Sequence, residues 1–442
     1  MSRKKRRIYV CDACGYESPA WFGRCPSCGT WNSAISMSVD NHAIIETSKE
    51  VANIRSLSDI KVEDSHRLFT GLNEFDRALG GGVVPGSVVL VSGEPGIGKS
   101  TLMLQVAERM VSYGKVLYIS GEESQRQIKL RARRLKLGKT ENIEVSATTE
   151  LDFLEKLDLK DYSLLIFDSL QTLRLSNVAS LPGSFVQVRE CANFVVSKAK
   201  ESNVAAVIVG HVTKGGQIAG PKLVEHIVDT VLYFDTNKSG YRFLRTVKNR
   251  FGPSDEIAVF EMTSDGLAEV PDISDLFVKD FIVAPGNVIT AVSEGSKTFL
   301  VEVQSLVSKP IYGTPRRLAT GVPIDRVLLV AAVLSKRANI PLDNLDLYIN
   351  IAGGIQVDDP GTDLAIALSL LSSFTNKAVP QGMAAFGEIG LDGTVRNVTG
   401  SSKRIDRLKE SGFSEVLSPN GNIRIQNIAD LVRFVGGMSD GS

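Results

Sequence analysis

At 442 residues the chain is too long for a single hydrophobic core, which points to two or three domains. Fifty basic residues balance fifty acidic ones, so no global charge advertises nucleic acid and any polyanion site must be local. Apolar residues make up 43%, as in an ordinary soluble globular protein, and no run of about 18 apolar residues reads as a membrane span.

The basic start, Arg3-Lys-Lys-Arg-Arg7, lacks the apolar run of a secretory signal and reads as a solvated tail, the whole chain as cytoplasmic. Four of the five cysteines follow in two C-x-x-C knuckles, Cys11-Asp-Ala-Cys14 and Cys25-Pro-Ser-Cys28, each succeeded by glycine. Such paired turns aim four thiolates at one tetrahedral Zn²⁺, a closed structural site with no open position for catalysis. Disulfides are the alternative, but a reducing compartment disfavours them. Trp21 and Trp31 are expected to pack on this module, residues 1–32, and the polar stretch 33–64 reads as a linker. Cys191, alone in a helical pattern, reads as a small core residue.

Residues 65–270 alternate strand and helix patterns, implying a parallel sheet with its ligand at the strand carboxyl ends. Ser87-Val-Val-Leu-Val-Ser92 is strand-like, and Thr101 to Arg109 are good helix formers. Between them lies Gly93-Glu94-Pro95-Gly96-Ile97-Gly98-Lys99-Ser100, a complete G-x-x-x-x-G-K-S phosphate loop, so Gly93 to Thr101 are expected to hold a nucleoside triphosphate. Glycines let backbone N–H groups curl around phosphates at a helix N-terminus, Lys99 reaches the β- and γ-phosphates, and Ser100 can hold Mg²⁺. Asp168, closing the strand Tyr162–Phe167, fits the second Mg²⁺-ordering residue. Glu122 follows the strand 115–120, a position resembling the one where RecA-like and DnaB-like motors carry the carboxylate that polarises the attacking water, and this resemblance implies Glu122 rather than Glu123 for that role. Strands near 231–235, 242–248 and 257–262 read as antiparallel additions at the sheet edge.

A second break, 271–285, separates this core from an α+β domain, 286–442. There Asp359-Pro-Gly-Thr362 and Gly387 to Gly400 resemble the proteolytic domain of Lon, which uses a serine activated by a lysine. Thr362 stands where that serine should be and Ser402 where the lysine should be. Lys403 is one residue out, about 100° around a helix. The dyad is expected to be broken and the domain to be an inactive scaffold.

The cysteine knuckles, the loop 93–100, Lys248-Asn-Arg-Phe-Gly252 and the final domain together resemble the bacterial RadA (Sms) family of DNA repair ATPases, over essentially the whole chain. The resemblance implies a RecA-like P-loop core preceded by a zinc ribbon and followed by a Lon-protease-like domain. It implies a DnaB-like hexameric ring that drives branch migration with the RecA recombinase, using ATP, Mg²⁺ and Zn²⁺ on single-stranded and branched DNA. In such rings a Lys-x-Arg pair, here Lys248 and Arg250, reaches the neighbouring subunit's nucleotide, where a cation stabilises the developing γ-phosphate charge. Lys214 and Lys222, in a glycine-rich stretch after the strand 205–211, and Arg174 are the expected DNA contacts. His211 is either a γ-phosphate sensor or a satisfied strand-end histidine. The rival functions are a KaiC-like regulatory ATPase and an ATP-dependent protease.

Overall fold

The computed structural model describes residues 6–11, 16–39, 56, 67–178, 180–211, 224–236, 240–272, 274, 278–310 and 313–438. The chain divides into two compact units, Met1–Asp235 with Arg242–Glu269, and Thr236–Tyr241 with Val270–Ser442.

The first unit begins with a small antiparallel sheet of β1 (Arg6–Cys11), β2 (Glu17–Ser18) and β3 (Ala34–Val39), ordered β2-β1-β3. β3 pairs along the whole of β1, from Cys11↔Ala34 to Arg6↔Val39, so this sheet continues into the stretch expected to be linker from residue 33. The tryptophans also depart from expectation: Trp21 is 62% and Trp31 69% exposed. Val10, Cys11 and Cys25 already fill the interior of so small a module, and Trp31 lies instead under the Arg24 guanidinium, 5.9 Å from its centroid.

The ATPase-like region carries α1 (Asn73–Ala78), β4 (Val88–Gly93), α2 (Lys99–Met110), β5 (Lys115–Ser120) and α3 (Gln125–Arg134). It continues with β6 (Ile143–Ser146), β7 (Tyr162–Asp168), α4 (Phe185–Ser202), β8 (Ala205–His211), β9 (Thr230–Thr236), β10 (Arg242–Asn249), β11 (Ile257–Thr263) and β12 (Gly266–Glu269). The nine strands form one sheet, ordered β12-β11-β10-β9-β4-β8-β7-β5-β6. β9 was expected to be an antiparallel addition, yet it runs parallel to β4, Val89 opposite Thr230. β10–β11 and β11–β12 pair antiparallel. Alternation along β4 serves two cores: Val89 and Val91 pack with α2, while Val88 and Leu90 pack with α4. Cys191 on α4 is fully buried, and burial pushes its thiol up to about 12, as befits an inert core residue.

The second unit holds β13 (Asn287–Glu294), β14 (Lys297–Ser308), β15 (Arg317–Thr320), α5 (Ile324–Ala338), β16 (Asp346–Ile351) and α6 (Asp363–Thr375). β17 (Met383–Ala385), β18 (Glu388–Ile389), β19 (Val395–Arg396), α7 (Ser401–Glu410), β20 (Glu415–Ser418), β21 (Ile423–Arg424) and α8 (Ile428–Gly436) complete it. Its main sheet is ordered β15-β16-β14-β13-β17-β20-β21, with β18 and β19 as a separate hairpin. The stretch expected to be a second linker is pinned to this unit. Asp272 pairs with Arg407, and the buried Ser274 accepts a hydrogen bond from the Leu300 N–H. Phe281 meets Phe413 edge-on at 6.2 Å.

Candidate active site and metal centre

The phosphate loop joins the last residue of β4 to the first of α2, so the helix N-terminus faces the carboxyl ends of β5, β7 and β8. Gly93 has no alternative, since a Cβ there would stand 2.3 Å from the Phe234 carbonyl oxygen. Gly96, with φ +80°, has nothing within 4 Å of a Cβ position, so its outer side is open. Ile97 turns inward and is 5% exposed in the core. Lys99 is 3% exposed, and its Nζ donates to the carbonyls of Gly93 and Glu94, both at 2.8 Å. Burial lowers its ammonium from 10.5 to about 8, against the opposing pull of Asp168 and Glu122.

A cleft of about 370 Å³ lies over this loop, lined by Pro95, Gly96, Gly98, Lys99, Ser100, Thr101, Glu122, Asp168 and His211 among others. Nine sequence candidates on three strands and a loop thus converge there, while Arg174, Lys248 and Arg250 are not among its lining residues. Asp168 is 7% exposed and accepts a 2.6 Å hydrogen bond from the Tyr118 hydroxyl, which orients the carboxylate. Burial and the Asp168 charge raise the Tyr118 hydroxyl well above its ordinary value, so it remains a donor. The two neighbouring glutamates separate by their partners. Glu123 is taken by Arg131, whereas Glu122 Oε1 accepts from Ser169 Oγ and lies 3.2 Å from His211 Nε2. His211 Nδ1 is buried with no hydrogen-bond partner among the described residues. The contacts of Tyr118 and Ser169 depend on strand register, and that of Arg131 on how α3 folds back over the turn before it, so none is legible in the sequence.

The Lys248–Gly252 segment sits at the other end of the sheet. Asp229, just before β9, exchanges hydrogen bonds with Val88, the first residue of β4: Asp229 N–H donates to the Val88 carbonyl, and Val88 N–H donates to Asp229 Oδ2, both at 3.0 Å. Arg250 Nη1 lies 3.0 Å from Asp229 Oδ1. From Val88 to Gly93 is about 16 Å of strand, so Arg250 is remote from its own phosphate loop. Arg250 lies one residue past β10 rather than on it. Lys248 Nζ donates to the carbonyls of Glu225 and Val228 at 2.7 Å and of His226 at 3.5 Å. Asn249 Nδ2 donates to the Leu79 carbonyl at 3.1 Å, and Gly252 is glycine because a Cβ would meet Gly80 Cα at 2.9 Å. The exposed Arg174 is paired with Glu150. Lys214 and Lys222 lie outside the described residues.

In the small N-terminal module the Sγ atoms of Cys11, Cys25 and Cys28 lie within 4.8 Å of one another, and Cys14 is outside the described residues. Cys11 and Cys28 are 3.7 Å apart, and a tetrahedral Zn²⁺ with Zn–S of about 2.3 Å needs an edge of about 3.8 Å. The donor set and its spacing therefore fit zinc. In the second unit Thr362 is fully buried and its hydroxyl donates to the Asp359 carbonyl at 2.8 Å. Ser402 and Lys403 are exposed on α7, while Arg404 between its turns is buried against Asp359 at 2.8 Å.

Family models and curated relatives agree with this architecture. Residues 9–34 match the rubredoxin metal binding domain family, 68–270 the KaiC ATPase family, and 325–422 the family of subunit ChlI of Mg-chelatase. A solved KaiC-like protein from Pyrococcus horikoshii is 21% identical, covering 47% of this chain and 100% of that one, with a TM-score of 0.40. The DNA repair protein RadA of Halalkalibacterium halodurans is 42% identical over 98% of this chain and 96% of its own length. That of Listeria monocytogenes is 43% identical over 99% and 97%, and that of Aquifex aeolicus 44% over 94% and 94%. Among the described residues no helix is long and apolar enough to cross a membrane. With a zinc ribbon, a RecA-like P-loop core and a Lon-like final domain along matched full-length chains, the protein belongs to the RadA family of DNA repair proteins.

Proposed function

We propose that the chain is a DNA-dependent ATPase that assembles into a hexameric ring and moves branch points in recombination intermediates, in the cytoplasm and in cooperation with RecA. Lys99 and the loop N–H groups between Gly93 and Thr101 hold the β- and γ-phosphates at the start of α2. Ser100 and Asp168 would hold Mg²⁺, which neutralises phosphate charge when bound. Glu122, free of the arginine that occupies Glu123, takes the proton of the attacking water, while Ser169 and His211 aim its carboxylate. Arg250 supplies the cation to the neighbouring subunit's γ-phosphate. Lys248, whose three donors sit on three carbonyls, braces the finger beside it. Lys214 and Lys222 are the proposed DNA contacts, joined by Arg174 once it exchanges Glu150 for a phosphate.

The observation that carries this reading is the position of Arg250, paired with Asp229 at the sheet end away from its own loop. A cation so placed serves hydrolysis only across an interface. Single-stranded DNA should therefore stimulate ATP hydrolysis, with no casein degradation alongside. Mixed rings of Lys99→Ala and Arg250→Ala subunits should regain activity at interfaces that pair an intact loop with an intact finger. If mixed rings demonstrably form and remain inactive, the trans assignment fails. Metal analysis should find one zinc per chain, and Cys11→Ser should unfold the N-terminal module while sparing hydrolysis.

A further inference from the structure

Asp229 is 4% exposed, and both its backbone N–H and its carboxylate Oδ2 are hydrogen-bonded to Val88 on the central strand. Its other two acceptors face Arg250. The Asp229 carbonyl accepts the Arg250 backbone N–H at 3.1 Å, and Oδ1 accepts Nη1 at 3.0 Å. A buried carboxylate is costly unless paired, and this one is paired to a guanidinium whose side chain is half exposed. One of the five donors of the arginine fork is therefore anchored on the rigid sheet, and the head still reaches solvent.

We infer that Asp229 is a positioning residue, which presents Arg250 from the central strand to the neighbouring subunit's nucleotide. An exposed arginine left to itself samples many rotamers, and the loss of that freedom opposes every encounter with a phosphate. Asp229 removes most of the freedom beforehand. It does so in rigid register with β4, the strand that carries the phosphate loop at its far end. The loop that receives a cation and the holder that delivers one thus lie at opposite ends of β4, the holder hydrogen-bonded to its first residue. The inference rests on the trans reading of Arg250.

The test uses the full-length protein and its DNA-stimulated ATP hydrolysis. Asp229→Asn keeps one acceptor for the Val88 N–H and replaces the charged acceptor that orients Arg250 with an amide NH2. It should lower kcat by about 10- to 100-fold, the scale of a misplaced catalytic group, and leave KM for ATP within about twofold. Asp229→Asn combined with Arg250→Ala should hydrolyse ATP no more slowly than Arg250→Ala alone, because the holder has nothing left to hold. Adding Lys99→Ala subunits, whose fingers are intact, should restore turnover to Asp229→Asn loops. Unchanged kcat in Asp229→Asn overturns the inference, as does a further fall in the double variant, which would mark a defect of folding. Full activity in Arg250→Ala would instead remove the trans reading itself, which separates the two failures.

Discussion

α2 and α6 both begin with a glycine-flanked turn, and only α2 is built to receive a ligand. α2 starts at Gly98-Lys99 with φ +120° at Gly98, no acidic residue in its first turn and open space beside Gly96. α6 starts at Thr362-Asp363, and the polar side chains there already have partners within the fold. The Thr362 hydroxyl is on the Asp359 carbonyl, and Asp363 accepts from Arg326 at 2.8 Å and from the Ile389 N–H at 3.1 Å. A Cβ at Gly361 would strike Arg404 Nη1 at 2.8 Å, so the space before that helix is filled by a cation belonging to the chain itself. Burial outweighs Arg326 and raises the Asp363 carboxyl above its usual range. A helix N-terminus attracts anions in either case. What decides function is whether the surrounding side chains leave that field unanswered.

The largest expected effect tests the open end. Lys99→Ala removes the lysine that lines the cleft, and hydrolysis should fall at least about 100-fold in a protein that still folds. Near-normal turnover would erase the contrast between the two helices. Next comes the plugged end: Arg404→Ala leaves Asp359 as an unpaired buried carboxylate and should cost the second unit about 3–5 kcal/mol in denaturant unfolding. A shift below about 1 kcal/mol would mean the pair is not what fills that turn.

The pH dependence sharpens the comparison further. Lys99 has its folded value lowered to about 8 by burial, while an unfolded lysine keeps its proton to about pH 10.4. Below pH 8 both states are charged and the full burial cost is present. Between about pH 8 and 10.4 the unfolded chain binds more protons, so this group's contribution to stability rises with pH. ATP needs the ammonium, so its affinity should weaken above pH 8, by up to about tenfold per unit, and calorimetry should detect proton uptake on binding. A Lys99→Met protein should show neither trend. Asp168 and Glu122 face Lys99 across the cleft, and their charges pull against the lowering that burial imposes on it.

How much of this was legible depended on whether a feature is local. The eight residues from Gly93 to Ser100 carry their own geometry, and doubled C-x-x-C knuckles announce thiolates whatever surrounds them. Even Ser124, which caps α3 with Gln127, follows a readable S-x-x-Q pattern. Contacts set by parallel register were invisible. Tyr118 reaches Asp168 and Ser169 reaches Glu122 only because β5 and β7 lie side by side, Ser120 opposite Asp168. The resemblance gives Lys248 and Arg250 one shared role, reaching a neighbouring subunit's nucleotide. Lys248 proves to be caged by carbonyls, and Arg250, beyond the strand end, is the one that remains half exposed. Residues 271–285 read as a linker because Pro271 and Pro285 bracket them, yet Asp272, Ser274 and Phe281 find long-range partners no local pattern announces.

The smallest expected effect is the most discriminating for the second unit. Thr362→Ser restores the residue type that a Lon-like site uses as nucleophile, so a dormant protease would be most readily revealed there. A serine hydroxyl at this position still meets the Asp359 carbonyl, and the cations paired at the turn, Arg404 with Asp359 and Arg326 with Asp363, cannot act as bases because a guanidinium keeps its proton. Thr362→Ser should therefore neither cleave casein nor react with a fluorophosphonate probe. ATP hydrolysis should stay within about twofold of the parent. The remaining consequence is one missing buried methyl, costing about 1 kcal/mol of stability and lowering the melting temperature by a few degrees. Covalent labelling of the Thr362→Ser protein at the substituted position, dependent on an intact fold, would show instead that an activating group reaches this turn, and that the plugged helix start is a site after all.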